Sequence, residues 1–129
     1  MASYYHARTL ALPFDGAVSR VIEALKREGF GVVTDIDLKK TFKEKLGQDF
    51  RRYRILGACN PQAAHEALGL EDKIGTMLPC NVVVQEKGSE TIEVAAIDPV
   101  ASMQAIDNPA LKRKAEEIGV RLRRAIDTL

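Results

Sequence analysis

The sequence predicts an α+β fold of the order β-α-β(4)-α, in which two main helices pack on one face of an antiparallel five-stranded sheet. Short segments of alternating apolar and polar residues indicate the strands, and two segments with helical apolar spacing indicate the helices. The 129 residues are 46% hydrophobic and 29% charged, which is typical of one soluble globular domain. The sequence contains neither an internal repeat nor a linker, so we expect residues 1–129 to form a single domain.

The first strand is predicted from Tyr4 to Leu12 and ends at Pro13. Asp15 follows as a candidate N-cap, because its side chain can accept from the free amides of a first helical turn. The helix after it carries the apolar stripe of a surface helix and ends at Gly29, which supplies a left-handed exit. The stripe consists of Val18, Val21, Ile22 and Leu25.

The second strand is predicted from Phe30 to Leu38 and the third from Phe50 to Cys59. In the second strand, alternation puts one set of residues on a shared face, opposite Asp35 and Asp37. That set is Val32, Thr34, Ile36 and Leu38. The charged segment from Lys39 to Leu46 is predicted to be a short turn of helix, closed by Gly47, and is interpreted as a solvated connector.

The second half of the chain begins with a short helix over Gln62–Leu68, capped by Asn60 with Pro61 at its first position. A mixed loop from Leu70 to Pro79 leads into the fourth strand. Strands Cys80–Glu86 and Thr91–Asp98 form a hairpin, a short helix is predicted over Pro99–Ile106, and Asn108-Pro109 begins a long final helix. Its apolar stripe is Leu111, Ala115, Ile118, Leu122 and Ile126.

Both cysteines lie between residues 56 and 84, each followed by an asparagine and each with a proline nearby. If strands two to five form an antiparallel meander, Cys59, Cys80 and Asp98 lie at the same edge of the sheet. Alternation then predicts that all three side chains point toward the helix-covered face. His65 and Met103 are expected within reach of them.

Such a cluster has a limited chemistry. Cys59 directly precedes a helix start, which favours thiolate, and a second thiol nearby would allow soft-metal binding, persulfide transfer or disulfide cycling. Asp98 would serve as a ligand or proton acceptor. However, the sequence has neither C-x-x-C nor H-E-x-x-H, and free cysteines are often small apolar core residues, so a purely structural role stays open.

Charge and hydropathy argue against several partners. The net charge is +1, from 19 basic and 18 acidic residues, and acidic residues interrupt the basic final helix, so a nucleic-acid partner is not expected. No apolar run approaches the ~20 residues that span a bilayer, and the first residues lack a signal-peptide pattern. We therefore expect a cytoplasmic protein with reduced thiols and no membrane partner.

The sheet face away from the helices is predicted to be partly apolar, which favours a homodimer interface or a small-ligand platform. The residues assigned to it are Arg54, Leu56, Val83, Gln85, Glu93, Ala95 and Ile97.

Four segments resemble the domain-of-unknown-function family 302. They are Gly29-Phe30, residues 53–61 (YRILGACNP), residues 74–84 (IGTMLPCNVVV) and Asp98-Pro99. The resemblance implies a fold similar to one half of the TATA-binding protein. It implies no activity, cofactor or catalytic residue, because the family has none established, and a shared architecture does not imply DNA binding.

Three hypotheses follow from these patterns. The first is a non-enzymatic homodimer that holds a small ligand or soft metal ion near Cys59, Cys80 and Asp98. The second is a redox or sulfur-transfer enzyme that uses the same cysteines covalently. The third is an interaction module that works through the open sheet face.

Overall fold

The computed structural model describes residues 3–129, in which five strands form one antiparallel sheet of order β1-β5-β4-β3-β2. The predicted order of strands and the meander are confirmed. The strands are β1 Tyr5–Leu10, β2 Gly31–Asp37, β3 Tyr53–Cys59, β4 Cys80–Gly88 and β5 Thr91–Ile97. The helices are α1 Phe14–Arg27, α2 Leu38–Leu46, α3 Pro61–Leu70, α4 Pro99–Ser102 and α5 Pro109–Asp127, with a 3₁₀ helix over Asp72–Met77.

Helices α1 and α5 cover one face of the sheet, and the main core lies between them and the strands. Leu56, Val82 and Ala96 form one cross-strand row through β3, β4 and β5, and all three are buried. Each large aliphatic side chain buried in this way contributes roughly 1.5–3 kcal/mol. Within residues 3–129, no helix has both the length and the apolar character of a membrane span.

Strand β3 faces the opposite way from the prediction. Leu56 pairs with Val82 and Arg54 with Val84, so both lie on the helix-covered side and their assignment to the open face is wrong. Tyr53 and Ile55 lie on the open face instead. Alternation within a strand shows which residues share a face, but the pairing with neighbouring strands decides which face that is.

Strand β2 contains an irregularity that alternation alone does not reveal. The register shifts between Val32, which pairs with Ala58, and Thr34, which pairs with Gly57. The extra residue, Val33, is 62% exposed. A bulge places two residues opposite one, so the prediction that Val32 and Thr34 share a face is wrong.

Three helix starts follow the predicted pattern of an Asn or Asp cap before proline. Asn60 accepts from the Ala63 amide at 3.0 Å, Asp98 from Val100 at 3.0 Å and Asn108 from Leu111 at 3.2 Å. The proposed Asp15 cap is wrong, because α1 begins one residue earlier at Phe14, with Pro13 at its N-cap. Asp15 therefore lies in the first turn, where its carboxylate interacts favourably with the helix dipole.

The segment predicted as a loop over Leu70–Pro79 contains helical structure. Helix α3 extends through Leu70, and Asp72–Met77 form the 3₁₀ helix. Ile74 from this turn is fully buried in a second, smaller apolar cluster with Ala67, Met103, Leu111 and Ala115. This cluster lies beside the end of the sheet where the cysteines are found.

We expect Gly119→Ala to stabilise the protein by about 0.5–1 kcal/mol. Gly119 lies within α5, and an added Cβ would lie 3.6 Å from Pro99 Cδ, an ordinary van der Waals contact. Alanine also has the higher helix propensity. Urea denaturation measures the effect. Gly29→Ala serves as the contrast and should destabilise the protein. Gly29 has φ 87°, and an added Cβ would lie 3.0 Å from Asn60 Nδ2. A urea midpoint for Gly119→Ala below that of the unmodified protein would contradict the expectation.

Candidate functional site

A cavity of about 40 Å³ lies at the end of the sheet where β3 ends and β4 begins, beneath α3 and α5. A water molecule needs roughly 10–15 Å³ measured this way, whereas pockets for drug-sized ligands have roughly 300–1,000 Å³. The cavity therefore has room for an ion or a ligand of a few atoms.

The local sequence explains why space remains here. Strand β3 ends at Cys59, and the Asn60 cap turns the chain into α3. The residues of α3 that face the cavity are Ala63, Ala64 and Ala67. Because alanine ends at Cβ, these positions leave open volume that leucine would fill.

Three sulfur-bearing side chains line the cavity: Cys59, Cys80 and Met103. The remaining sulfur in residues 3–129 belongs to Met77, which packs against the adjoining small cluster. All the sulfur of the described chain is therefore gathered in one region. Most other lining residues are apolar, so sulfur supplies most of the metal-ligating capacity of this wall.

The two thiols differ in environment. Cys80 is 8% exposed, and burial, followed by the nearby charge of Cys59, raises the pKa of its thiol to about 11. Cys59 is partly exposed, and neither cysteine forms a disulfide. Cys80 is thus a neutral thiol at physiological pH, unless a cation replaces its proton.

The prediction that both cysteines point toward the helix-covered face is wrong for Cys59. Cys80 pairs with Ala58 and faces the core, whereas Cys59, the next residue of β3, belongs to the opposite set. Cys59 nevertheless lines the same cavity, because it ends its strand at the point where the chain turns into α3.

Asp98 and His65 do not line the cavity with the cysteines. Asp98 caps α4 through its bond to the Val100 amide and lies at a different cleft, beside Gly119 and Arg123 of α5. His65 is on the exposed side of α3. Among residues 3–129, no three His, Cys, Asp or Glu side chains are placed to hold a metal ion together. The sequence-predicted group is therefore reduced to Cys59, Cys80 and Met103.

One residue of the site was missed by sequence reasoning. Lys114 of α5 lines the cavity and forms an ion pair with Glu66 of α3, with Glu117 3.5 Å away. The hydrogen bond with Glu66 raises the pKa of Lys114 and lowers that of Glu66. This pair connects α3 to α5 beside the cavity. The i,i+3 spacing to Glu117 is visible in the sequence, but the contact with Glu66 exists only after folding.

The comparisons with known proteins agree with this fold. The family model described as "Domain of unknown function DUF302" matches residues 6–129. The crystal structure of an uncharacterized conserved DUF302 protein from Bacillus stearothermophilus is similar, with a TM-score of 0.90 and 31% identity over 98% of each chain. No protein of curated function matches the chain. The chain belongs to the DUF302 family.

Proposed function

We propose that the protein is a small non-enzymatic binding protein whose cavity takes a soft metal ion, monovalent copper. The observation that carries this proposal is the convergence of Cys59, Cys80 and Met103 on one small, mostly apolar cavity. Thiolate and thioether sulfur are the ligands that select copper(I), whereas oxygen ligands suit magnesium and calcium. The Cys₂Met set would offer three soft donors.

The burial of Cys80 determines how such binding would depend on pH. A buried thiolate without a counter-charge is costly, which is why the pKa of Cys80 is raised to about 11. A metal cation that replaces the proton supplies this counter-charge and deprotonates a coordinating thiol. Binding should therefore release protons and weaken as the pH falls.

A thiol-based redox or sulfur-transfer enzyme has less support. The reactive form in that chemistry is the thiolate, and burial holds Cys80 in the opposite form near neutral pH. A cavity of about 40 Å³ also leaves little room for a substrate beside the two sulfurs.

Copper(I) titration in the absence of oxygen, against a chromophoric chelator, tests the proposal. We expect one equivalent to bind. Cys59→Ser and Cys80→Ser should each weaken binding by at least about 100-fold, since the loss of an outer-shell partner alone costs about 10–100-fold, and Met103→Leu should weaken binding by about 10-fold. Met77→Leu is the matched control, because Met77 has the same chemistry and packs against the same cluster but does not line the cavity. Its affinity should equal that of the unmodified protein.

Two outcomes would contradict the proposal. One is unchanged copper(I) affinity in a Cys59→Ser/Cys80→Ser variant whose circular dichroism shows a folded chain. The other is absence of copper(I) binding together with rapid, reversible Cys59–Cys80 disulfide formation by peroxide, which would favour the redox alternative.

A further inference from the structure

The open face of the sheet has a groove of about 300 Å³, separate from the sulfur cavity. It crosses from Tyr5 on β1 to Tyr53 on β3, over a floor of apolar side chains. That floor is formed by Val83, Ala95 and Ile97. The volume reaches the lower end of the range for small-molecule pockets, roughly 300 Å³.

The groove is long and has aromatic ends. Tyr5 and Tyr53 lie three strand spacings apart in the order β1-β5-β4-β3, which is about 14 Å across the sheet. Tyr4 packs edge-on against Tyr5, with ring centroids 5.0 Å apart. All three tyrosines of the protein line this groove. The shape suits a rod-like ligand with an apolar body.

The formal charge of the groove lining is negative, and a hydrogen bond holds the charged group in position. Among the described residues that line it, Glu93 carries the formal charge. Gln85, only 9% exposed, donates from Nε2 to Glu93 Oε1 at 3.2 Å and accepts from Arg51 Nε at 3.0 Å. Arg51 therefore orients the amide, the amide orients the carboxylate, and within residues 3–129 Glu93 Oε2 makes no hydrogen bond.

We propose that this groove binds an elongated organic cation, with its ammonium group on Glu93 and its apolar body along Val83 and Ala95. A free carboxylate oxygen accepts a charge-assisted hydrogen bond from an ammonium, and the faces of tyrosine rings attract cations. Arg51 is not among the residues that line the groove. Its guanidinium lies over the rings of Phe50 and Tyr53, 4.4 and 5.5 Å from their centroids, so it already occupies one face of the Tyr53 ring. This site is independent of the copper proposal.

Octylamine, 1-octanol and octanoate form a matched set of probes that differ in the head group. The protein has no tryptophan and all its tyrosines line the groove, so intrinsic tyrosine fluorescence reports binding directly, and calorimetry provides the affinity. We expect octylamine to bind about five-fold more tightly than octanol, and octanoate most weakly. Glu93→Gln should remove the preference for octylamine and leave octanol binding unchanged.

Two further variants complete the test. Glu44→Gln removes an exposed carboxylate of α2 and should bind all three probes as the unmodified protein does. Ala95→Leu fills the floor and should weaken octylamine and octanol alike. Equal binding of octylamine and octanol by the unmodified protein would overturn the proposal. A dimer in sedimentation that Ala95→Leu dissociates would also overturn it, since the groove would then be an interface between two copies.

Discussion

Gly57→Ala should destabilise the protein by about 3 kcal/mol, at the upper end of the usual cost of overpacking. A Cβ at Gly57 would collide with the Thr34 side chain and lie 2.5 Å from Pro79 Cγ. Neither neighbour is the end of a flexible side chain: Thr34 is the cross-strand partner of Gly57 on β2, and Pro79 directly precedes β4. Urea denaturation, followed by circular dichroism, measures the loss.

The collision should also displace the residues of the sulfur cavity, because Gly57 lies two residues before Cys59 and Pro79 directly precedes Cys80. Copper(I) affinity, measured where the variant is still folded, should fall together with stability. Gly31→Ala is the matched control in β2, since a Cβ there has no neighbour within 4 Å, and its stability should stay within about 0.5 kcal/mol. Equal urea midpoints for Gly57→Ala and the unmodified protein would show that the β2–β3 junction relaxes.

The second large effect is a loss of stability in alkali that comes from Cys80. Burial raises the pKa of its thiol from 9.0 to about 11, so the folded state holds the proton more tightly than the unfolded state. The resulting stabilisation is complete below pH 9 and is lost as the pH rises toward 11. Two pH units correspond to about 3 kcal/mol in the free energy of unfolding.

Other groups, chiefly lysine and tyrosine, titrate in the same range, and Cys80→Ala isolates the contribution of the thiol. We expect the difference in free energy of unfolding between the unmodified protein and Cys80→Ala to be constant below pH 9. It should then shift by about 2 kcal/mol against the unmodified protein at pH 11, and by about 3 kcal/mol above that pH. A difference that does not change with pH would mean that Cys80 titrates in the folded protein as an exposed thiol does.

Local sequence patterns were sufficient for most elements. The alternation in β4 and β5, the stripe of α1 and the Asn-Pro starts of α3 and α5 depend on residues close in sequence, so each could be predicted from short windows. Boundaries were less accurate where a local pattern was absent. The 3₁₀ helix over Asp72–Met77, which was predicted as part of a loop, is one case. The burial of Ile74 against α5 and Met103 depends on residues that are distant in sequence.

The candidate site was likewise predicted only in part, where it depends on the order of the strands. The meander predicted that Cys59 and Cys80 lie near one end of the sheet. In the structure both line the cavity, together with Met103. Asp98 and His65 do not line the cavity. The Asp98 carboxylate caps α4, and the His65 ring lies on the exposed side of α3. Helix geometry orients both side chains, and the alternation within the strands does not specify it. The groove itself was not predicted, but five of the seven residues assigned to the open face line it: Val83, Gln85, Glu93, Ala95 and Ile97.

The sequence by itself determined the α+β class, the order of the strands and the three caps that precede proline, because these depend on propensity and periodicity over a few residues. Only the tertiary structure decided which side of the sheet β3 presents, where β2 bulges, and that Lys114 meets Glu66 beside the cavity. Each of these depends on pairing between residues far apart in the chain. The cavity itself is also a property of packing, since it exists where small side chains of α3 meet the ends of β3 and β4.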